Sequence, residues 1–123
     1  MRIQNLITRK DIFPDTDGII SILSDARFVI NPQETKTITI PYKLYTDDNE
    51  VVFFNFSYKL AEKGLSCVNS NIYEIGAENL EIILNNLKIE GQLSQIETIV
   101  GSGRRIDIKP NTLLGRLFSI KTS

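Results

Sequence analysis

The chain has 123 residues, with 14 lysines and arginines against 15 aspartates and glutamates, one cysteine and no histidine. This near-balance of charge argues against a nucleic-acid or anionic-membrane role, because both rest on accumulated positive charge. The missing histidine removes Ser-His and Cys-His nucleophile pairs and a His general base, and the lone Cys67 leaves neither an internal disulfide nor a Cys/His zinc site.

The length predicts one domain over residues 1–123, able to bury roughly two-thirds of the surface of the unfolded chain. No apolar run reaches the ~20 residues of a membrane span, and "MRIQNLITRK" lacks the roughly 7–15-residue apolar block of a secretory signal. The expectation is a soluble protein made in the cytoplasm. Carboxylate, lysine, arginine, tyrosine and hydroxyl chemistry stay open, as does a carboxylate-held Mg²⁺.

Residues 1–13 carry Ile3, Leu6 and Ile7 outside the main pattern. They suggest an N-terminal arm that adds to a neighbouring subunit or partner. The ordinary alternative is a frayed terminus or a first strand of the same domain. "GIISIL" and "ARFVI" then read as short strands, with turn signals at Asp17-Gly18 and Asn31-Pro32. In "TITIPYKLY", Ile38, Ile40, Tyr42 and Leu44 alternate with Thr37, Thr39, Pro41 and Lys43, the pattern of a half-buried strand. Pro41 cannot donate to a ladder and belongs at an edge or bulge.

Asp47, Asp48 and Glu50 form an acidic turn that could hold a hard cation, but they lack a spaced ligand ladder; a solvated turn is the ordinary reading. "EVVFFNFSYKL" predicts a strand through Leu60, apolar on both faces in its first half and so set between two layers. Its aromatic residues lack the interleaved basic side chains of a nucleic-acid platform, which leaves core or subunit interface. Cys67 reads as a small buried apolar residue.

"AENLEIILNNLKIE" satisfies both periods: Leu80, Ile83, Leu84 and Leu87 at helical spacing, Leu80, Ile82 and Leu84 at strand spacing. Its β neighbours favour a strand. Residues 87–105 predict an extended hairpin or loop with its tip at "GSGRR". That tip could present Arg104 and Arg105 to a phosphate or an acidic surface, though it lacks the rest of a P-loop and a solvated tip is the commoner use. "RIDIK" and "LLGRLFSIK" are the closing strands. Isoleucine and other β-branched residues abound, and many short strands with close turns suggest an all-β sandwich or jelly roll.

The order of these signals resembles the trimeric dUTPase family and the related dCTP deaminases. "DGIISILSDARFVINPQETKTITIPYKL" is similar to the family's opening. Its turn Ile30-Asn31-Pro32-Gln33-Glu34-Thr35 stands for the family's Ile-Pro-Pro-Gly-Glu-Thr. "LAEKGLSCVNS" is similar to Leu-Ala-x-Lys-Gly-Leu-x-Val-x-Asn-Ser, the most specific match. "IDIKPNTLLGRLFSI" resembles the closing strand. The matches cover roughly residues 14–86 and 105–121. The resemblance implies a distorted β jelly roll assembled as a homotrimer, with sites between subunits.

The family's functional residues do not carry over. Gly-Tyr/Phe-Asp-Leu becomes Gly18-Ile19-Ile20-Ser21, with Ile20 at the metal-holding Asp. In Pro-Arg-Ser-Ser/Gly-Leu-Ala, Ser57 replaces the phosphate-gripping Arg and Tyr58 the Ser. The third motif's sugar-stacking Tyr and water-orienting Asp have only imperfect counterparts: Asn69, Tyr73 and Glu74 are the candidate nucleotide-binding relics, and Glu78 is the other nearby carboxylate. Gly-Asp-Arg-Ile-Ala-Gln becomes Asn111-Thr112-Leu113-Leu114-Gly115-Arg116, and no Gly-rich closing arm follows.

Phosphate binding needs positive charge or aimed N–H donors, and water attack needs a carboxylate within reach. Neither has a visible source here, so no catalytic residue, metal ligand or cofactor is assigned. The reading is a non-catalytic structural or interaction protein, in one concrete form a phage auxiliary or capsid decoration protein carried on the virion. Its candidate contacts are Ile3, Leu6, Ile7, Arg104 and Arg105, with no nucleic acid or membrane partner. The alternatives are a nucleotide-sensing pseudoenzyme that binds deoxyuridine nucleotides and a divergent dUTP nucleotidohydrolase.

Overall fold

In the computed structural model, the structure describes residues 1–69, 71–73, 77–86 and 105–122. Strands appear in the order β1 (Arg2–Asn5), β2 (Asp11–Ile12), β3 (Ile19–Leu23), β4 (Phe28–Ile30), β5 (Thr35–Ile40), β6 (Tyr42–Tyr45) and β7 (Glu50–Phe56). One short helix, α1 (Tyr58–Glu62), precedes β8 (Leu65–Cys67), β9 (Leu80–Asn86), β10 (Ile106–Ile108) and β11 (Leu113–Lys121).

Two three-stranded antiparallel sheets, β3-β11-β7 and β5-β9-β8, contribute their inward faces to one hydrophobic cluster. The first supplies Ile20, Ile22, Val52, Leu114 and Leu117. The second supplies Ile38, Ile40, Leu65, Leu80, Ile82 and Leu84. The β2-β1-β6 sheet closes one flank and the β10-β4 pair another, adding Ile3, Ile30, Ile106 and Ile108. Each such aliphatic side chain gains about 1.5–3 kcal/mol over an exposed one.

The alternation in "TITI" is realised, with Ile38 and Ile40 buried and Thr37 and Thr39 exposed. Pro41 falls at the break between β5 and β6, where its carbonyl accepts from the Leu6 N–H at 2.9 Å. The ambiguous segment after Ala77 is a strand, β9, paired on both sides by β5 and β8.

Two expectations are corrected. The strand expected through Leu60 ends at Phe56. Ser57 takes the N-cap of α1, its hydroxyl accepting from the Leu60 N–H, and Gly64 follows the helix at φ 101°. The Lys59–Lys63 stretch is rich in helix formers, and one inward residue, Leu60, satisfies a helical turn as well as a strand.

The first half of β7 is not sealed between two layers. Val51 is 45% exposed and Phe53 42%, while Val52 faces the core.

Residues 1–13 take the ordinary alternative, a first strand of the same domain. β1 pairs with β2 and β6 of its own chain, and Ile3 is completely buried. Its apolar side chain opposes Ile12 and Leu44 in register and is covered by its own chain, so it offers no exposed surface for the partner contact expected of it. The hairpin or loop expected over residues 87–105 lies outside the described residues, except for Arg105.

Left-handed backbone marks the turns. Gln33 (φ 61°) and Asn111 (φ 63°) both adopt it, and both stand where the resembled motifs carry glycine. The Asn31–Glu34 turn closes with the Glu34 N–H donating to the Asn31 carbonyl at 3.0 Å.

A candidate pocket beside strand β9

The outward face of β9 and the segment after β8 enclose a pocket of about 330 Å³. Asn69, Asn71, Tyr73, Glu78, Asn79 and Glu81 supply its polar lining, and Ile72 and Ile83 its apolar part. Three of the residues singled out from sequence, Asn69, Tyr73 and Glu78, are thus brought together. Glu74 lies outside the described residues. No lysine or arginine is among the described lining residues.

Asn69 spends its amide on its own chain. Its Nδ2 donates to the carbonyls of Asn71 (2.7 Å) and Glu81 (2.6 Å). Its Oδ1 accepts from the Ile83 N–H (3.0 Å) and the Cys67 thiol (3.3 Å). The side chain therefore builds the pocket wall by tying the segment after β8 onto β9. Burial pushes the Cys67 thiol up, against a smaller pull from the Asn69 backbone, so Cys67 is not a poised nucleophile.

Tyr73 packs against the core cluster. Burial first, and then the nearby Glu50 carboxylate, push its phenol upward, while the Val52 backbone opposes the change.

The other motif positions serve the fold. Ile20, at the metal-holding position, is a core side chain on β3. Ser57, at the phosphate arginine, is buried as the α1 cap. Tyr58 beside it points to solvent at 77% exposure. Thr112, at the fourth motif's Asp, donates its hydroxyl to the Lys109 carbonyl at 2.7 Å. Among the described residues no three His, Cys, Asp or Glu side chains converge to hold a metal ion.

Of the residues expected at a partner surface, Leu6 is half-buried, Ile7 is 76% exposed at the β1–β2 turn, and Arg105 is exposed. Arg104 lies outside the described residues.

Two features escaped the sequence. Glu50, read only as part of an acidic turn, is a sequestered carboxylate. The Met1 α-amine lies 2.8 Å from its Oε1, and Ser119 Oγ donates to its Oε2 at 2.6 Å. Burial alone would raise its pKa; the hydrogen bonds from the α-amine, Ser119 and the Asp47 N–H, with the α-amine's charge, outweigh this and pull it to about 2.

The second feature is an apolar outward face on β7 and β11. Phe53 opposes Phe118 and Val51 opposes Ile120 in register. The two phenyl rings stack at 5.3 Å, and Ile120 is 53% exposed. Its sequence signal was the apolar run on both faces of "VVFF".

No family model and no curated protein matches the chain. Solved structures do. The native dUTPase of EIAV is similar at a TM-score of 0.68 and 15% identity, covering 98% of this chain and 88% of that one. A variant of the phage 80alpha dUTPase matches at 0.72 and 14%, covering 98% and 89%. A variant of the dUTPase from phage phi11 of S. aureus matches at 0.65 and 18%, covering 89% and 80%. The fold is therefore that of the dUTPases, an all-β scaffold.

Proposed function

We propose that this chain is a non-catalytic structural or interaction protein on a dUTPase-like scaffold. One observation carries the reading: the positions at which the resembled motifs place charge are occupied by residues that build the fold. Ile20 is core, Ser57 is a helix cap, and Thr112 closes a turn. The pocket beside β9 reinforces it, because Glu78 and Glu81 repel a polyphosphate and no lysine or arginine stands among the described lining residues to offset them. Among the described residues at these positions, electrostatic stabilisation of a developing negative charge has no visible source.

Self-association as a homotrimer accompanies this reading. The Val51, Phe53, Phe118 and Ile120 face supports it, because contiguous exposed apolar surface marks an interaction site. The concrete form, a phage auxiliary or capsid decoration protein, draws on the phage dUTPases among the fold neighbours. The phage 80alpha enzyme is itself described as controlling transfer of virulence genes by a G protein-like mechanism. Contacts to a protein partner are assigned to Leu6 and Ile7 at the β1–β2 turn and to Arg104 and Arg105.

The second reading is a pseudoenzyme that senses deoxyuridine nucleotides, favoured by the pocket at Asn69 and Tyr73. A thermal-shift titration with dUTP, dUMP and dCTP, with and without Mg²⁺, separates the two. A ligand at about 100 times its Kd stabilises a fold by roughly 2.7 kcal/mol. No shift is expected. A shift selective for deoxyuridine nucleotides supports the sensor, and turnover in a follow-up assay restores a divergent hydrolase.

A further inference from the structure

We draw no further inference here: the strongest candidate, the apolar outward face of β7 and β11 formed by Val51, Phe53, Phe118 and Ile120, is the surface already assigned to self-association, and nothing in the structure shows what else covers it.

Discussion

Asn69 Nδ2 donates to the Glu81 carbonyl at 2.6 Å, and so fastens the segment after β8 to strand β9 across twelve positions of sequence. The same nitrogen donates to the Asn71 carbonyl at 2.7 Å. Asn69→Asp places a carboxylate oxygen against two carbonyls that previously accepted hydrogen bonds. It should lower stability by about 2–4 kcal/mol at neutral pH. Asn69→Ala, which leaves the carbonyls unsatisfied without adding charge, should cost less. Urea denaturation of the two variants checks the order. A midpoint unchanged in both would remove Asn69 from its structural role and return it to the ligand-binding candidates.

Glu50 predicts a specific acid sensitivity. Its folded pKa is depressed from an ordinary 4.5 to about 2. The ionised form is thus favoured by folding. Its stabilisation is complete above the unfolded pKa and is lost as pH falls through that value toward about 2. Melting temperatures of the wild type should fall across this window. Glu50→Gln should start lower at neutral pH, and its deficit should shrink on acidification. Parallel curves for the two proteins would show that the carboxylate is not held as described.

Gly115 has no space for a side chain. A Cβ there would lie 2.4 Å from both the Asn55 carbonyl oxygen and Phe54 Cζ. Gly115→Ala should destabilise by about 2–3 kcal/mol through overpacking. Adding Phe54→Leu should recover only part of the loss, because the backbone oxygen of Asn55 still collides. Full recovery in the double variant would mean that the ring alone sets the limit.

The stacked Phe53 and Phe118 lead to a prediction about assembly. Phe53→Lys with Ile120→Lys places charge on the outward face of β7 and β11 while leaving inward Val52 and Leu117 untouched. Sedimentation velocity should show a trimer for the wild type and a monomer for this variant. A wild-type monomer at every concentration tested would leave the apolar face to some other partner.

Much of the backbone was legible because two-residue periodicity reports burial directly. Ile38 with Ile40, and Leu80 with Ile82 and Leu84, are the inward rows that their spacing predicted. The break at Ser57 was less legible, because a hydroxyl reads as a solvent-facing strand residue until its donor, the Leu60 N–H, is in view. The burial of Ile3 was hidden for a related reason: an edge strand's inward residue is recognised only once its partners, Ile12 and Leu44, are known.

The pocket was legible only in part. Asn69 and Tyr73 were found through a motif. Their surroundings depend on hydrogen bonds between residues far apart in sequence, which no local pattern encodes. Glu50 shows the same limit, since its environment comes from Met1 and Ser119 at opposite ends of the chain.

The left-handed backbone at Gln33 and Asn111 has a practical consequence for protein engineering. A side chain in that region stores about 1 kcal/mol of steric strain, less for asparagine than for glutamine. Both sites are exposed turns. They therefore form a small reserve of removable strain. A thermostabilised version of the scaffold can begin with glycine at these two positions, leaving the hydrophobic cluster, the pocket and the apolar face as they are.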